Sequence, residues 1–597
     1  MPSYKAPIEN VRFILNEVFD VSEIAKLPGY EDATPDVIDA VLEGMAQFCE
    51  EVIQPLNLSG DAEGCKYENG VVRTPKGFKE AYDQYVAGGW MGVTSNPAYG
   101  GQGLPHTVGS VLEEFVTSAN MSFGMYPGLS TGAIRAIEHW APEHLKQTYL
   151  HKMVAGTWSG TMCLTEAHCG TDLGLIRTKA SAADSDGSHK ITGSKIFISA
   201  GEQDLTENII HLVLAKLPDA PPGVKGISLF IVPKFLPKED GSVGPRNGVM
   251  CGSIEHKMGI KASATCVMNF DEAKGWLIGE PHKGMRAMFT MMNAARFGVA
   301  MQGLGIAEVS YQNAVAYAKD RIQGRALTGA KEKDKPADPI IVHPDVRKNL
   351  LTMKAFTEAA RALSVWVGMQ LDVIEKHPDP KVRQEADDLL ALMTPILKAY
   401  FSDMGSEVAN LGVQIYGGHG YIHEWGMEQF VRDARIAQIY EGANGIQALD
   451  LVGRKLPQNM GRPLRRFFHP ASQFIEAEME NPALAEFMPH FAKAFGKLQQ
   501  ATAIIAQKGM SNPDEAAAAS TDYLRMFALV AMAFMWLKMV KVAVAKLPDA
   551  NGRASFYDGK IKTARFFFQK MLPETETRFR TIMAGSKSLM DLDMEQF

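Results

Sequence analysis

HKITGSKIFISA (189–200), NIIHLVLAKL (208–217), GISLFIVPKF (226–235) and ATCVMNF (264–270) decide the fold class of this chain. These segments are short, rich in Ile, Val, Phe and Thr, and separated by Gly, Pro and Asp clusters, as is typical of β-strands. The sequence on either side carries apolar residues at helical spacing instead. We therefore predict an α+β protein, mainly α, in which a β domain covering 161–283 lies between helical domains.

The helical patterns define the remaining domains. Patterns over 34–52, 107–115 and 144–154 predict an N-terminal helical domain at 1–160. Long helical patterns return over 284–455, interrupted by TGAKEKDKPADP (328–339), which we interpret as a solvated loop. The Pro- and Gly-containing segment LPQNMGRPLRRFFHP (456–470) is interpreted as a linker that opens an additional helical domain at 456–597.

One segment of the last domain, DYLRMFALVAMAFMWLKMVKVAVAKL (522–547), is apolar almost all round. A helix with this pattern must be covered on several sides. Its uninterrupted apolar run, 526–536, is shorter than the roughly 20 residues that span a bilayer, and Arg525 and Lys538 flank it. We predict a buried helix and no integral membrane segment.

Composition excludes several classes of protein. The 597 residues are 46% hydrophobic and the net charge is -7, so no global attraction to nucleic acid or anionic membrane is expected. A chain of this length is expected to form about three or four domains. The six cysteines are scattered through the first half of the chain without paired metal spacing, so we expect no metal site. A disulfide framework would be unusual in such a chain, which indicates a reducing compartment. MPSYKAPIENVRF (1–13) lacks the apolar core of a signal peptide, so we expect a cytoplasmic protein.

Two segments carry candidate chemistry. In QIYEGANGIQ (438–447), Glu441 could be a base that removes a proton from carbon, although most glutamates are solvated surface groups. In MCLTEAHCGTDLG (162–174), small hydroxylated and glycine residues would let backbone N–H groups approach a ligand closely, and a capped β-turn explains them equally well. Neither segment assigns a function by itself.

The order of motifs along the chain resembles the acyl-CoA dehydrogenase family over about 40–455. The matching motifs are CLTEAHCGTD (163–172), ITGSKIFIS (191–199), HKMGIKASAT (256–265), GWLIG (275–279), AARFGVAMQGLGIAE (294–308), QIYGGHGY (414–421) and RDARIAQIYEG (432–442). The resemblance implies an N-terminal helical domain, a central β-barrel-like domain and a C-terminal four-helix bundle. YKAPIENVRFILNEVF (4–19) and the extension after residue 460 resemble a large bacterial branch that includes 3-methylmercaptopropionyl-CoA and fatty acyl-CoA dehydrogenases.

The resemblance also implies a reaction. The family uses FAD to convert an acyl-CoA thioester to the trans-2-enoyl-CoA, and its catalytic base matches Glu441. This carboxylate would remove the α-proton while flavin N5 accepts the β-hydride. Burial would raise its basicity, and the backbone N–H of Glu441 with a ribityl hydroxyl would stabilise the developing enolate oxygen.

Further site residues follow from the same resemblance. The positions implied for FAD are Met162, Cys163, Leu164, Thr165, Phe197, Ile198 and Ser199 around the ring, Arg321 at the pyrophosphate of a neighbouring subunit, and Gln414, Gly417 and Gly418 under the adenine half. Those implied for the substrate are Thr171, Arg296 and Gly442. Arg296 could also be a helix-surface cation. Ala443, Asn444 and Gly445 depart from the common pattern, which leaves FAD contacts there open.

The implied partners are an acyl-CoA and an electron-transfer flavoprotein as electron acceptor. The C-terminal extension favours a homodimer, because it would cover apolar surface that relatives cover by forming tetramers. An acyl-CoA oxidase using oxygen is an alternative within the superfamily. A nucleic-acid-associated flavoprotein is an alternative of another class, but RPLRRFFH (462–469) and KIKTARFFFQK (560–570) are offset by nearby acidic segments, so we expect no nucleic acid partner.

Overall fold

The computed structural model describes residues 2–597 and divides them into two compact units. The helical unit comprises the chain up to Gly44, Pro105–Glu114 and Val299–Phe597, and the sheet unit comprises Met45–Leu104 and Phe115–Gly298. The α-helices in chain order are α1 Ile8–Arg12, α2 Pro35–Phe48, α3 Leu56–Glu63, α4 Phe78–Ala87, α5 His106–Trp140, α6 Glu143–Val154, α7 Gly284–Asp320, α8 Pro344–Lys376, α9 Pro380–Tyr416, α10 Gly418–Tyr421, α11 Met427–Arg435, α12 Asn444–Asp450, α13 Arg462–Glu478, α14 Met488–Ser511, α15 Pro513–Lys546, α16 Ala554–Phe566, α17 Glu574–Ala584 and α18 Lys587–Met590.

Among the described residues, all strands lie in the sheet unit. They are β1 Lys66–Glu68, β2 Val71–Arg73, β3 Trp158–Cys163, β4 Lys179–Ala180, β5 Ser188–Ser199, β6 Asn208–Lys216, β7 Ile227–Pro233, β8 Phe235–Pro237, β9 Val243–Arg246, β10 Val249–Ile254 and β11 Thr265–Ile278. The segments predicted as strands form β5, β6, β7 and β11. The last of these continues beyond the predicted segment to Ile278.

The main sheet closes on itself. β5 pairs with β11 and β4, β4 pairs with β6, β6 pairs with β7, and β7 pairs with β11. β3 joins this circuit in parallel beside β6, and β10 joins beside β11. The circuit confirms the barrel-like β domain. It also explains why β6 and β7 read as nearly continuous apolar runs, because both faces of these strands are buried.

The core of the helical unit includes α15. Every residue from Met526 to Leu537 is buried, which confirms the predicted buried helix. Pro513–Asp549 is the one helix among residues 2–597 that is long and apolar enough to cross a membrane by composition, and 78% of its apolar window is buried. α13 and α15 pack on α9, while α15 and α16 pack on α8, so the C-terminal extension covers these two long helices.

Buried ion pairs join helices within this unit. Arg361 of α8 is 1% exposed and donates to Glu114 at 2.6 Å and to Glu308 at 2.7 Å. Lys560 of α16 is also 1% exposed and lies 3.0 Å from Glu358 of α8. Because buried charges are tolerated only when they are paired, these contacts fix the relative positions of the helices that carry them.

Two sequence interpretations need correction. The segment 456–470 is mostly helix rather than linker, since α13 begins at Arg462 with Pro463 in its first turn, where proline is compatible with a helix. The loop at 328–339 is not wholly solvated. Asp338 is fully buried and accepts hydrogen bonds from the backbone N–H groups of Ala326, Lys331 and Glu332, which lower its pKa to about 2.

Candidate functional site

The loop that carries Glu441 lies in the helical unit between a short 3-10 turn, Ile436–Gln438, and α12. Glu441 is half-buried and has φ 57°, and Gly442 follows with φ 84°. Glycine adopts this left-handed conformation without strain, but a glutamate does not. A strained non-glycine residue persists only where its surroundings hold it, and such residues concentrate at functional sites.

Buried side chains hold the carbonyl groups of this loop. Gln447 Nε2 donates to the carbonyl oxygens of Glu441 and Gly442, both at 3.2 Å. Lys398 Nζ of α9 donates to the Gly442 carbonyl at 2.7 Å. Tyr440 donates to Gln302 of α7, and burial together with the negative charge of Glu441 raises the pKa of its phenol.

The unusual ANG segment has a structural explanation. The side-chain amide of Asn444 accepts from Lys398 at 2.9 Å and donates to Asp403 at 2.7 Å. Its polar atoms therefore face α9 rather than a ligand. Gly445 is exposed, and a Cβ there would meet nothing within 4 Å.

In the sheet unit, the two segments assigned to the flavin ring lie side by side. Met162 and Cys163 end β3, and Leu164 follows them. The Thr165 carbonyl accepts from the Ile196 N–H at 2.9 Å, and the Leu164 carbonyl accepts from Lys195 Nζ at 2.9 Å. These contacts bring the end of β3 against the C-terminal half of β5.

A β-bulge turns Phe197 outward. Lys195 opposes Met268 and Ile198 opposes Cys266, so two residues of β5 face one of β11. Phe197 takes φ 59° and is 58% exposed, whereas Ile198 is 2% exposed. The bulge reverses the inward and outward alternation, which places an exposed phenyl ring at the sheet surface.

A buried ion pair beneath this surface was missed from the sequence. Lys195 is fully buried and lies 2.9 Å from Glu166, which is itself only 5% exposed. Glu166 also accepts from the Arg177 N–H at 2.7 Å, the Thr178 N–H at 3.0 Å and the Thr178 hydroxyl at 2.6 Å. Burial alone would raise the pKa of Glu166, but Lys195 and these donors outweigh burial and lower it to about 2.

A signal for this pair was present in the sequence. Lys195 and Ile191 are an even number of positions apart in β5, so their side chains are expected on the same face of the strand, and Ile191 faces the core. A lysine at an inward position predicts a buried anionic partner. Glu166, His168 and Cys169 also place ligand atoms within 4.8 Å of one another, but the carboxylate of Glu166 is already occupied by Lys195 and three other donors, so this group carries no metal site.

The last turn of α7, which precedes Arg321, meets the QIYGGHGY segment in the helical unit. The ring of Tyr317, one turn before Arg321 in α7, stacks on Tyr416 with centroids 4.0 Å apart. Gln414, Gly417 and Gly418 are exposed around this contact, and Gly417 has φ 59°. Arg321 is exposed as well.

The implied substrate residues differ in exposure. Thr171 is exposed on the loop after β3, and Gly442 is half-buried in the helical unit. Arg296 is only 7% exposed, lies 3.3 Å from Asn293 and stacks over Phe289 at 5.8 Å, so it is not a helix-surface cation. Of the sequence-predicted residues, the flavin-ring set, Thr171 and Arg296 belong to the sheet unit, and the others belong to the helical unit.

The residues assigned to the flavin ring fit that group. An isoalloxazine is a flat ring system with an apolar face and polar edges, and it needs an exposed apolar surface beside hydrogen-bonding groups. The exposed ring of Phe197 and the partly exposed hydroxyl residues Thr165 and Ser199 supply both, on two segments that are hydrogen-bonded to each other.

Comparisons with known proteins show the family of this chain. Family profiles described as acyl-CoA dehydrogenase N-terminal, middle and C-terminal domains match 36–157, 161–273 and 282–456, and one described as acetyl-CoA dehydrogenase C-terminal like matches 467–593. The chain is 42% identical to 3-methylmercaptopropionyl-CoA dehydrogenase of Ruegeria pomeroyi, covering 98% of this chain and 99% of the relative. It is 34% identical to a butyryl-CoA dehydrogenase of Syntrophomonas wolfei, covering 100% and 99%.

A solved structure shows the same fold. The acyl-CoA dehydrogenase of Bacillus anthracis complexed with FAD matches at a TM-score of 0.74, covering 96% of this chain and 92% of that one, at 20% identity. Together, these matches span nearly the whole chain. The chain therefore belongs to the acyl-CoA dehydrogenase family, with FAD as its cofactor.

Proposed function

We propose that Glu441 is the base that removes the α-proton of the acyl-CoA, and that the conformation of its loop positions the carboxylate for this step. The chain catalyses FAD-dependent dehydrogenation of an acyl-CoA thioester. The observation that supports Glu441 is its left-handed backbone, φ 57°, on a loop whose carbonyls are held by buried donors. A base fixed in this way loses little freedom when the substrate binds, so its carboxylate can be aligned with the Cα–H bond.

Other residues of the chain bind and orient the ligands. Phe197, Thr165 and Ser199 hold the flavin ring, together with Met162, Cys163, Leu164 and Ile198. When bound, FAD would supply the acceptor for the β-hydride of the substrate. Arg296 and Thr171 contact the CoA portion, and the burial of Arg296 strengthens its attraction for an anionic phosphate, because a buried charge is poorly screened.

A direct test compares Glu441→Gln with Glu476→Gln, which changes an exposed carboxylate in α13. Both variants are expected to bind FAD and remain yellow. Anaerobic addition of an acyl-CoA should bleach the flavin of Glu476→Gln as in the unchanged protein and leave Glu441→Gln oxidised. If the flavin of Glu441→Gln bleached at the same rate as in the unchanged protein, Glu441 would not be the base.

The substrate is proposed to be 3-methylmercaptopropionyl-CoA or a related short acyl-CoA. The 42% identity to the Ruegeria pomeroyi enzyme supports the methylthio substrate, and the butyryl-CoA dehydrogenase relative supports a straight chain of similar length. Anaerobic flavin reduction with straight-chain, branched and methylthio-substituted acyl-CoAs separates these substrates. The quantity to compare is the rate constant of flavin reduction divided by the Kd of the acyl-CoA. If this ratio is higher for long straight-chain substrates than for either short substrate, the proposal is contradicted.

An electron-transfer flavoprotein is proposed as the electron acceptor, on the basis of the family resemblance. The test follows reoxidation of the reduced enzyme by a purified electron-transfer flavoprotein and, separately, by air. Fast reduction of the flavoprotein with slow hydrogen peroxide release is expected. Brisk peroxide release in air with no transfer to the flavoprotein would favour an oxidase instead.

A cytoplasmic homodimer is the proposed form of the protein. The surface around the Tyr317 and Tyr416 stack exposes Tyr421 by 81% and Ile422 by 47%, an apolar area that a second copy would cover. Arg321 and the Gln414, Gly417 and Gly418 segment would then contact FAD across the interface. Sedimentation velocity should show a dimer that Tyr421→Glu weakens, and a monomeric unchanged protein would contradict this arrangement.

A further inference from the structure

The loop of the proposed base is attached to α9 on both sides of Glu441. Before the base, Gln438 Nε2 donates to Asp403 Oδ1 at 2.7 Å. After it, Lys398 Nζ donates to the Gly442 carbonyl at 2.7 Å, and Asn444 Nδ2 donates to Asp403 Oδ1 at 2.7 Å. We call Lys398, Asp403 and Asn444 the α9 anchor. Its contacts hold the chain at Gln438, which precedes Glu441, and at Gly442 and Asn444, which follow it.

Asn444 links the two charges of the anchor. Its Oδ1 accepts from the Lys398 ammonium at 2.9 Å while its Nδ2 donates to the Asp403 carboxylate. A side-chain amide offers an acceptor and a donor on one planar group, and asparagine is its shorter form. This geometry accounts for asparagine at a position where the sequence departs from the common family pattern.

The ammonium of Lys398 sits in the protein interior, since the residue is 0% exposed. An ammonium group has three donors and no acceptor, and its burial is tolerated only when oxygen atoms surround it. Two of those oxygens, the Gly442 carbonyl and Asn444 Oδ1, belong to the loop of the base. Hydrogen bonds to a charged donor are stronger than neutral ones, so this contact fixes the Gly442–Ala443 peptide plane, the second one after Glu441.

The contact from Lys398 restrains the loop next to a strained residue, Glu441. At φ 57° the residue is strained, and without restraint it would relax toward the right-handed or extended region and move its carboxylate. Gln447 restrains the Glu441 and Gly442 carbonyls at 3.2 Å, but through neutral and longer hydrogen bonds. The charged donor is therefore the stronger restraint.

We propose that Lys398 is a positioning residue for α-proton abstraction, acting through the α9 anchor to hold Glu441 in its left-handed conformation. The inference rests on the proposed role of Glu441 as the base. Lys398 contacts neither the substrate nor FAD in this scheme. Its loss should slow the chemical step while leaving ligand binding almost unchanged.

The test uses Lys398→Met, which preserves side-chain length and removes the charge and donors. Lys398→Arg keeps the cation, and Lys560→Met removes an equally buried lysine from the distant pair with Glu358. Stopped-flow measurements under anaerobic conditions give the limiting rate constant of flavin reduction and the Kd of the acyl-CoA separately. FAD content and Tm are recorded for each variant.

Lys398→Met is expected to lower the limiting rate constant by about 100-fold, the scale of a displacement near 1 Å, with Kd changed by less than about threefold. Lys398→Arg should recover part of the rate, whereas Lys560→Met should lose stability and keep its rate. Asn444→Leu should resemble Lys398→Met, and the double variant should be no slower than either single variant, because both remove one network.

Several outcomes would overturn the proposal. A Lys398→Met protein that reduces its flavin at the unchanged rate would refute the positioning role. The role would also be refuted if the flavin reduction rate fell in both Lys398→Met and Lys560→Met, and in each variant fell in proportion to the decrease in Tm. If Lys398→Met does not fold, Asn444→Leu decides, and an unchanged rate there refutes the proposal. A Glu441→Gln protein that still bleaches would instead refute the base assignment, so the two failures are distinguishable.

Discussion

Replacing Lys195 with methionine tests whether the buried pair with Glu166 supports the flavin-binding surface. The lysine is fully buried, and its carboxylate partner lies 2.9 Å away. The substitution leaves Glu166 with donors from Arg177 and Thr178 but without a counter-charge. Removing one member of a buried ion pair typically costs about 3–5 kcal/mol, so we expect a loss of that size in the unfolding free energy of the sheet unit.

The pH dependence of the unfolding free energy gives a second value, for the contribution of ionised Glu166 to stability. Glu166 has a pKa of about 2 in the folded protein against an ordinary value of 4.5. A carboxylate whose folded pKa is lowered stabilises the fold above its unfolded pKa, and this contribution disappears as the pH falls from 4.5 to about 2. The shift corresponds to about 3 kcal/mol for Lys195, Thr178 and Arg177 together against the opposing effect of burial, so it is a value for the whole surroundings of Glu166 and not for the pair alone. The stability difference between the two proteins should therefore shrink over this pH window.

The assay is equilibrium urea unfolding followed by the rise in flavin fluorescence as FAD is released, with FAD affinity measured by titration. Lys195→Met should show an earlier transition and weaker FAD binding, because Lys195 also holds the Leu164 carbonyl at 2.9 Å. Lys190→Met, which changes a lysine of β5 that is 51% exposed, should lose no more than about 1 kcal/mol. A Lys195→Met protein whose stability is within about 1 kcal/mol of the unchanged one, with equal FAD affinity, would show that the pair does not support the flavin-binding surface.

Three further substitutions test other parts of the structure. Phe197→Gly should relieve about 1 kcal/mol of left-handed strain at φ 59°, keeping the apoprotein Tm unchanged or slightly higher while FAD titration shows weaker binding; a lower apoprotein Tm would contradict this. Trp536→Ala should lose about 3–5 kcal/mol of stability by calorimetry, because the side chain is fully buried, and should keep its flavin reduction rate at 25 °C. Arg361→Met should destabilise the helical unit by about 3–5 kcal/mol at pH 7, since Glu114 and Glu308 lose their shared cation. Burial raises the pKa of Glu114, so part of that loss should be recovered in urea unfolding at pH 5 as Glu114 takes up a proton, and an equal loss at both pH values would count against the network.

Local patterns predicted much of the fold. The β-rich composition of 189–270 located the long strands, and the apolar run of 522–547 predicted the buried helix α15. Composition did not predict that the strand pairings close into a circuit, because pairing depends on contacts between residues far apart in sequence. The helix α13 was missed because Pro463 and Pro470 were taken as loop signals, although Pro463 lies in the first turn, where proline is compatible with a helix, and Pro470 lies inside the helix.

The candidate site shows the same division. The motif around Glu441 could be assigned from the sequence, and the family membership and FAD dependence that it implied are confirmed by the comparisons. The Phe197 bulge, the Glu166 and Lys195 pair and the contact from Lys398 to the base loop could not be assigned in this way. Each depends on which side chains meet across a strand ladder or between a helix and a loop. The individual site residues and the four domain boundaries stay predictions.

The proposed role of Glu441 in removing the substrate proton can be measured as the rate of flavin reduction. Enzyme containing FAD is mixed anaerobically in a stopped-flow instrument with saturating 3-methylmercaptopropionyl-CoA or butyryl-CoA, and flavin absorbance is followed for the unchanged protein and for Glu441→Gln. We predict rapid bleaching in the first protein and none in the second over the same period, with substrate binding still visible as a shift of the oxidised flavin spectrum. Bleaching of Glu441→Gln at a comparable rate would contradict the account.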